Sequence, residues 1–352
     1  MTRRAFAGGT LAMSTAAAQP KPQKPLQKTK LGIDLFSLRS QGWSAFEALD
    51  YCAKLGAEVC FFSELRFLGG TEPEHLQKVR EYAGKLGVGI ELGMTSICPT
   101  STMFKPELGT APEQIVKSIA IAKALGVSFI RCFQGRAEDR KTPGGLERHG
   151  EETLKVLRAV RSRLLDAGMK MAIENHAGDY QARGLRQLLD AAGRDIVGCT
   201  LDSGNATWCL EDPHVTLETL APYALTSGVR DSILWRTPEG IAVRWVRMGA
   251  GNVGMEEWVK KFQKWCPSVT LALEIISLPT PRMYKVFDRE FWQGYEDVRA
   301  SEFTRFLALA EKGQPSAGTP LPKETPKEEV LAAERDELEA SYHWTRKVLE
   351  KA

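Results

Sequence analysis

The stretch GMKMAIENHAGDYQARGLRQLLDAAGRDIVGCTLDSG, residues 168–204, contains the repeating unit on which the fold of this chain is built. An apolar run over 169–175 predicts a buried strand, and an amphipathic pattern over 182–192 predicts a helix. A second apolar run, over 196–202, predicts another strand. A strand, a helix and a strand in this order are typical of a parallel βαβ unit.

The same alternation extends from residue 31 to residue 313. Apolar runs predict eight strands, at 31–38, 58–63, 88–96, 127–133, 169–175, 196–202, 224–230 and 269–276. Amphipathic patterns predict helices at 43–55, 72–86, 111–125, 146–167, 182–192, 214–222, 255–265 and 291–312. Four of these helical patterns are followed directly by glycine, the residue expected at a left-handed helix end. Eight such units predict an α/β fold, a (β/α)8 TIM barrel. A dinucleotide-binding sheet is disfavoured, because no Gly-x-Gly-x-x-Gly follows the first strand.

One segment interrupts the regular count. Residues 233–254 separate the seventh strand from the next helix, and they contain an alternating run over 241–247 after Pro238. Alternation with a preceding turn predicts a β-hairpin, which we expect over the barrel mouth.

The two ends of the chain lie outside the barrel pattern. Residues 1–30 open with a twin arginine at positions 3 and 4, continue through a short apolar run to three alanines, and end in a stretch rich in Pro, Lys and Gln. This order predicts a twin-arginine-type signal peptide and linker, hence a periplasmic or exported protein. A disordered basic tail on a cytoplasmic protein is the alternative. Residues 314–352 predict a flexible connection and a charged helix near 326–350, with packing or a homo-oligomer contact as its open roles.

Charge, the length of apolar runs and cysteine content disfavour several classes of protein. The 47 basic and 44 acidic residues leave a net charge of +3, without the basic excess of a general nucleic-acid binder. No apolar run has the roughly 20 residues that a membrane span requires. The seven cysteines form no Cys-x-x-Cys pair, which disfavours both a disulfide framework and a zinc knuckle.

Three acidic residues close apolar runs at the strand ends where barrel enzymes place their active sites. They are Glu174, Asp202 and Glu274, on the fifth, sixth and eighth predicted strands. Carboxylates buried together are costly and repel one another unless a cation joins them. The pattern therefore predicts a divalent metal site, with salt-bridged strand ends as the alternative.

Four motifs resemble the xylose isomerase-like TIM barrel superfamily, which includes the sugar phosphate isomerases and epimerases. They are Glu174-Asn175-His176, Leu201-Asp202-Ser203-Gly204-Asn205, Glu274 and the glycine-rich Met248–Val253. The resemblance covers about residues 31–312. It implies that Glu174, Asp202 and Glu274 bind a metal ion, Mn, Mg, Co or Zn. It also implies that the two glutamates exchange protons with the substrate.

The seventh strand departs from the family pattern. The family carries His-x-Lys-Asp there, with the His as a fourth ligand, whereas this chain reads Gly228-Val229-Arg230-Asp231. Three interpretations stay open: three protein ligands completed by water and substrate, His176 as the fourth ligand, or a site without metal.

Substrate contacts are predicted around the acids. The candidates are His176, Asn205, Arg230, Trp208 and Trp235. Arg230 suits a hydroxyl, carboxylate or phosphate, with an ion pair to Asp231 as the alternative. The tryptophans, with Trp245, suit stacking on a sugar face, or packing of the hairpin. Asp34, Glu64, Arg131 and Gln134 are weaker candidates, and His149 is expected to face solvent.

The predicted function is that of a metal-dependent sugar isomerase or epimerase. Glu174 and Glu274 would move a proton at the carbon next to a carbonyl, and the ion would polarise the oxygens. A lyase or dehydratase acting on an oxidised sugar is the first alternative, and a metal-free carbohydrate-binding barrel is the second. An endonuclease IV-type nuclease is disfavoured, because His176 is the one histidine of five at a strand end.

Overall fold

The structure is a computed structural model that describes residues 29–277, 280–315, 321 and 324–351. The predicted signal peptide, most of its linker and much of the predicted connection after residue 314 lie outside the described residues.

Eight parallel strands form the barrel predicted from the sequence, and three antiparallel strands form a small second sheet. The eleven strands are β1 (Leu31–Asp34), β2 (Val59–Phe62), β3 (Gly89–Ser96), β4 (Phe129–Phe133), β5 (Lys170–Glu174), β6 (Val197–Asp202), β7 (Ala224–Gly228), β8 (Asp231–Thr237), β9 (Gly240–Val246), β10 (Leu271–Leu273) and β11 (Arg282–Tyr284). The large sheet has the order β10-β1-β2-β3-β4-β5-β6-β7. Val229 closes the ring, since its N–H donates to the Ala272 carbonyl at 2.7 Å and its carbonyl accepts from Glu274 N at 3.0 Å.

Helices surround the barrel at the positions that the amphipathic patterns predict. They are α1 (Ala45–Leu55), α2 (Pro73–Leu86), α3 (Ala111–Leu125), α4 (Gly145–Ala167), α5 (Ala182–Ala192), α6 (Ser203–Trp208), α7 (Pro213–Leu220), α8 (Met255–Trp265), α9 (Ala300–Lys312) and α10 (Lys327–Lys351). Helix α3 shows how the sequence sets the ends. Thr110 and Glu113 form a capping box at its start, and Gly126 ends it with a φ of 76°.

Several elements differ from the sequence-based expectation. The predicted strand 31–38 ends at Asp34, and Leu35–Leu38 forms a 3-10 turn. The predicted helix at 291–312 begins nine residues later, at Ala300, and a short 3-10 turn covers Arg289–Trp292. The short helix α6 was not predicted; it begins directly after Asp202, whose side chain accepts from Asn205 N and caps it.

The predicted hairpin is β8 and β9, paired from Asp231–Val246 to Thr237–Gly240, with β11 added along β9. The C-terminal helix packs on the barrel of its own chain. Gln41, after β1, donates to the Leu331 carbonyl at 2.9 Å, and Tyr51 on α1 donates to Glu339 at 2.8 Å. In the described part of the chain, no helix has the length and apolar content to cross a membrane.

Candidate active site

The three predicted carboxylates meet at the C-terminal end of the barrel. Glu174 is the last residue of β5, Asp202 is the last residue of β6, and Glu274 directly follows β10. One carboxylate oxygen from each lies within 4.8 Å of the other two, and all three residues are buried. Their convergence follows from the topology, because the carboxyl ends of all eight strands open on the same face of the barrel.

Glu174 is held by a donor on each of its oxygens. Arg131, which projects inward from the middle of β4, donates from Nε to Oε2 at 2.5 Å. Asn205 donates from Nδ2 to Oε1 at 2.9 Å. The ion pair is almost fully buried, with 7% and 2% of the Arg131 and Glu174 side chains exposed. Its geometry therefore fixes the orientation of the Glu174 carboxylate.

Asp202 and Glu274 share a second arginine. Nη2 of Arg230 donates to Glu274 Oε2 at 2.5 Å and also to Asp202 Oδ2. The alternative predicted from the sequence, an ion pair between Arg230 and Asp231, is absent from the contacts of the described residues. Asp231 instead accepts from the backbone N–H groups of Ser232, Gly249 and Gly251 at 2.7, 3.0 and 2.9 Å.

Burial and repulsion by neighbouring carboxylates both raise the pKa values of Asp202 and Glu274. Burial, as the largest cause, raises the pKa of Asp202 well above its ordinary value and raises the pKa of Glu274. The charge of Arg230 opposes both increases. Asp34, at the end of β1, interacts with the same acids. Burial is the largest cause that raises its pKa, and the charge of Glu274 is the second.

His176 lies beside the acids as a neutral side chain. Its Nδ1 is 2.6 Å from the Gly135 carbonyl, which can only accept, so the ring hydrogen lies on Nδ1 and Nε2 is an acceptor. The ring stacks on Phe133 with centroids 3.9 Å apart. Burial and the charge of Arg131 lower the pKa of His176 to about 3. Among the described residues, the close ligand set does not include His176, so the interpretation of it as fourth ligand gains no support.

The predicted aromatic residues separate into two groups. Trp208, at the end of α6, stacks on Trp245 with centroids 3.8 Å apart, and Trp245 lies 4.2 Å from the Arg230 guanidinium. Trp235 pairs across the hairpin with Ala242, and the described contacts do not bring it to the acids. Trp208 thus lies in a stack that reaches the site, whereas Trp235 stays a predicted contact only.

The structure gives contacts for two further residues named from the sequence. Asn205 stays a predicted substrate contact, and its described contacts to Glu174 and Asp202 also suit a positioning role. The expectation that His149 faces solvent is wrong. This residue is buried, with Nδ1 and Nε2 each 2.7 Å from a threonine hydroxyl, of Thr100 and Thr142 respectively.

The sequence pattern of the xylose isomerase-like TIM barrel family matches residues 49–279, which is more than half of the chain. This chain belongs to that family. A curated relative is 3-oxo-isoapionate decarboxylase from Pectobacterium atrosepticum, 26% identical over 183 residues. The match covers 52% of this chain and 59% of that protein, so the chain spans about three fifths of the relative's length.

Solved structures of the xylose isomerase-like family share the fold. D-psicose 3-epimerase with D-tagatose, from Clostridium cellulolyticum H10, is 13% identical with a TM-score of 0.61, covering 91% of this chain and 99% of that chain. The IOLI protein with a zinc atom is 15% identical with a TM-score of 0.54, covering 80% and 97%. At these identities the likeness shows the fold alone.

The donor set has the chemistry expected of a metal site in this family. Three carboxylates within 4.8 Å of one another suit a hard divalent cation. Residue 228, where the family pattern has histidine, faces the same atoms: a Cβ at Gly228 would lie 3.0 Å from Asp202 Oδ2 and 3.1 Å from Glu274 Oε2. The described residues therefore contain a buried acidic triad that fits an ion, and two of its members also bind Arg230.

Proposed function

We propose that this protein catalyses proton transfer at a carbon next to a carbonyl group of a sugar or sugar derivative, as an isomerase or epimerase. The observation that carries the proposal is the meeting of Glu174 and Glu274, two buried carboxylates from the ends of β5 and β10, within 4.8 Å of each other. Such a pair can remove a proton from one position of a substrate and return it at another.

The surroundings of the two glutamates favour different roles for them. Both oxygens of Glu174 are held, by Arg131 and Asn205, so its carboxylate has a fixed orientation suited to removing the proton. Burial raises the pKa of Glu274 and the charge of Arg230 opposes the increase, so Glu274 takes up a proton more readily than an exposed glutamate. Glu274 is accordingly the group that returns the proton to the substrate.

Proton removal leaves negative charge on the substrate oxygens, and the chain supplies groups to stabilise it. The Arg230 guanidinium, which pairs with Asp202 and Glu274, places a positive charge beside the two acids. Nε2 of His176 can accept from a substrate hydroxyl, since Nδ1 carries the hydrogen. A divalent ion, Mn, Mg, Co or Zn, held by Glu174, Asp202 and Glu274 would supply Lewis-acid polarisation of the carbonyl.

A lyase reaction on an oxidised sugar is the second candidate. The 26% identity to 3-oxo-isoapionate decarboxylase favours it, because that relative is matched by sequence as well as by fold. Both candidates pass through an enolate. In isomerisation the enolate forms by loss of a proton, and in decarboxylation it forms by loss of CO2. The same cationic groups would stabilise it in either case.

We also propose, from residues 1–30, that the enzyme is exported.

Exchange of substrate hydrogen with solvent tests the proposal directly. The full chain, with Mn²⁺ added, is incubated in D2O with a panel of ketoses, aldoses and keto acids derived from sugars, and deuterium entry next to the carbonyl is followed by NMR. Exchange should occur with at least one sugar and fall by about 10²-fold or more in E174Q and E274Q. The control is E211Q, which changes a buried acid whose described contacts lie outside the site.

The possible outcomes separate the two candidates. Release of CO2, or an unsaturated product, from a keto acid would favour the lyase. Undiminished deuterium exchange in both E174Q and E274Q would contradict the catalytic assignment.

A further inference from the structure

We infer that the Arg230 guanidinium occupies the cation position beside Asp202 and Glu274 and that it competes with a divalent ion for these two acids. The inference deepens the proposed function, since it concerns the charge balance of the same site. It also accounts for the departure of the seventh strand from the family pattern, where Gly228 and Arg230 stand instead of His and Lys.

The first observation is that Arg230 reaches the two atoms that a side chain at residue 228 would meet. A Cβ added at Gly228 would lie 3.0 Å from Asp202 Oδ2 and 3.1 Å from Glu274 Oε2. Nη2 of Arg230 donates to these same two oxygens. The guanidinium therefore lies where the family pattern places a metal-binding side chain.

The second observation is that the residues around Arg230 hold its side chain in this position. A Cβ at Gly204 would lie 2.2 Å from Cγ and 2.5 Å from Cδ of Arg230, so only glycine leaves room for this side chain. The Trp245 ring lies 4.2 Å from the guanidinium, and Trp245 Nε1 is itself fixed on the Gly204 carbonyl at 3.0 Å. Ser203 holds the backbone of Arg230, accepting from its N–H at 3.0 Å and donating to its carbonyl at 2.7 Å.

A metal ion and Arg230 would compete for the same oxygen atoms. Oxygen lone pairs that accept from Nη2 are the ones that would coordinate an ion, and the positive guanidinium repels a second cation at this range. An ion can therefore take Asp202 and Glu274 only when Arg230 withdraws from them. Wild-type protein should bind divalent metal weakly, and loss of Arg230 should strengthen that binding.

Metal binding can be measured without any substrate. The full chain is treated with EDTA, dialysed, and titrated with Mn²⁺ by isothermal titration calorimetry. Arg230→Met removes the charge and keeps much of the volume. The matched control, Arg140→Met, removes another buried arginine that lies over an aromatic ring, Tyr295 at 4.4 Å, and that binds the Gly178 carbonyl.

The expected result is an affinity for Mn²⁺ at least about tenfold higher in R230M than in wild type and R140M. Mn²⁺ should also raise the melting temperature of R230M more than that of wild type. If R230M does not fold, Gly204→Ala gives the same test, because its Cβ forces the Arg230 side chain away while keeping the charge in the chain.

Equal or weaker Mn²⁺ binding by the folded variant would overturn the inference, because it would mean that Arg230 supports the metal site or does not affect it. Failure of the proposed function would appear differently, as absence of substrate exchange, and would leave the titration unchanged.

Discussion

Replacing Arg131 by methionine should be among the most destabilising changes near the site. Arg131 is 2.5 Å from Glu174, and both side chains are almost fully buried. The variant leaves Glu174 buried beside Asp202 and Glu274 with one of the two arginines gone. Breaking a buried ion pair by removing one partner costs about 3–5 kcal/mol, because the remaining charge stays out of water without compensation.

A double-mutant cycle assigns this loss to the pair itself. Urea unfolding of wild type, R131M, E174Q and R131M/E174Q is followed by circular dichroism. We expect the double variant to recover about 2 kcal/mol or more relative to R131M, since no unpaired carboxylate is left at residue 174. The matched control is R161M, which breaks the exposed Arg161–Asp195 pair and should cost under about 1 kcal/mol. A loss in R131M no larger than that in R161M would refute the reasoning.

Two further predictions concern single groups. Burial raises the pKa of Glu211 from 4.5 to about 7, so the folded state keeps a proton that the unfolded chain releases. The stability that this proton contributes is present below pH 4.5 and is lost as the pH rises to 7. Between pH 4.5 and 7, the unfolding free energy of E211Q should therefore fall less than that of wild type, by up to about 3 kcal/mol, as measured by denaturation. An equal fall in the two proteins would contradict this. N205A should slow deuterium exchange about 10- to 100-fold by removing a hydrogen bond to Glu174, whereas N252A, in the loop after the hairpin, should not. Equal rates in the two variants would exclude the positioning role.

The barrel and the meeting of the three acids could be predicted because both follow from local patterns. Glycine after four of the helices and an apolar run after each of these glycines indicate the order of elements, and parallel strands present their carboxyl ends on one face. Once Glu174 and Asp202 close neighbouring strands, their proximity needs no further information. The position of Glu274 follows from the closure of the ring.

The partners of the acids could not be predicted in the same way. Sequence adjacency left an ion pair between Arg230 and Asp231 as an alternative, but neighbouring residues in an extended segment point to opposite sides. Asp231 therefore turns to the glycine-rich loop, while Arg230 turns to the acids, on the side that Gly228 faces. The burial of His149 likewise depends on Thr100, in a loop far along the chain, and nothing in the helix pattern indicates that loop.

The residues at positions 204, 228 and 230 depend on one another. Arg230 cannot reach Asp202 and Glu274 past any residue larger than glycine at 204, and a side chain at 228 would meet the two oxygens that Arg230 already holds. Restoring histidine at 228 in the presence of Arg230 would place two groups on one pair of oxygens. A four-ligand metal site could therefore be rebuilt only if Arg230 were replaced at the same time. Arg131 on Glu174 and Arg230 on Asp202 and Glu274 already place two positive charges beside the acids, which suits the stabilisation of an enolate. A divalent ion can take Asp202 and Glu274 only after Arg230 leaves them.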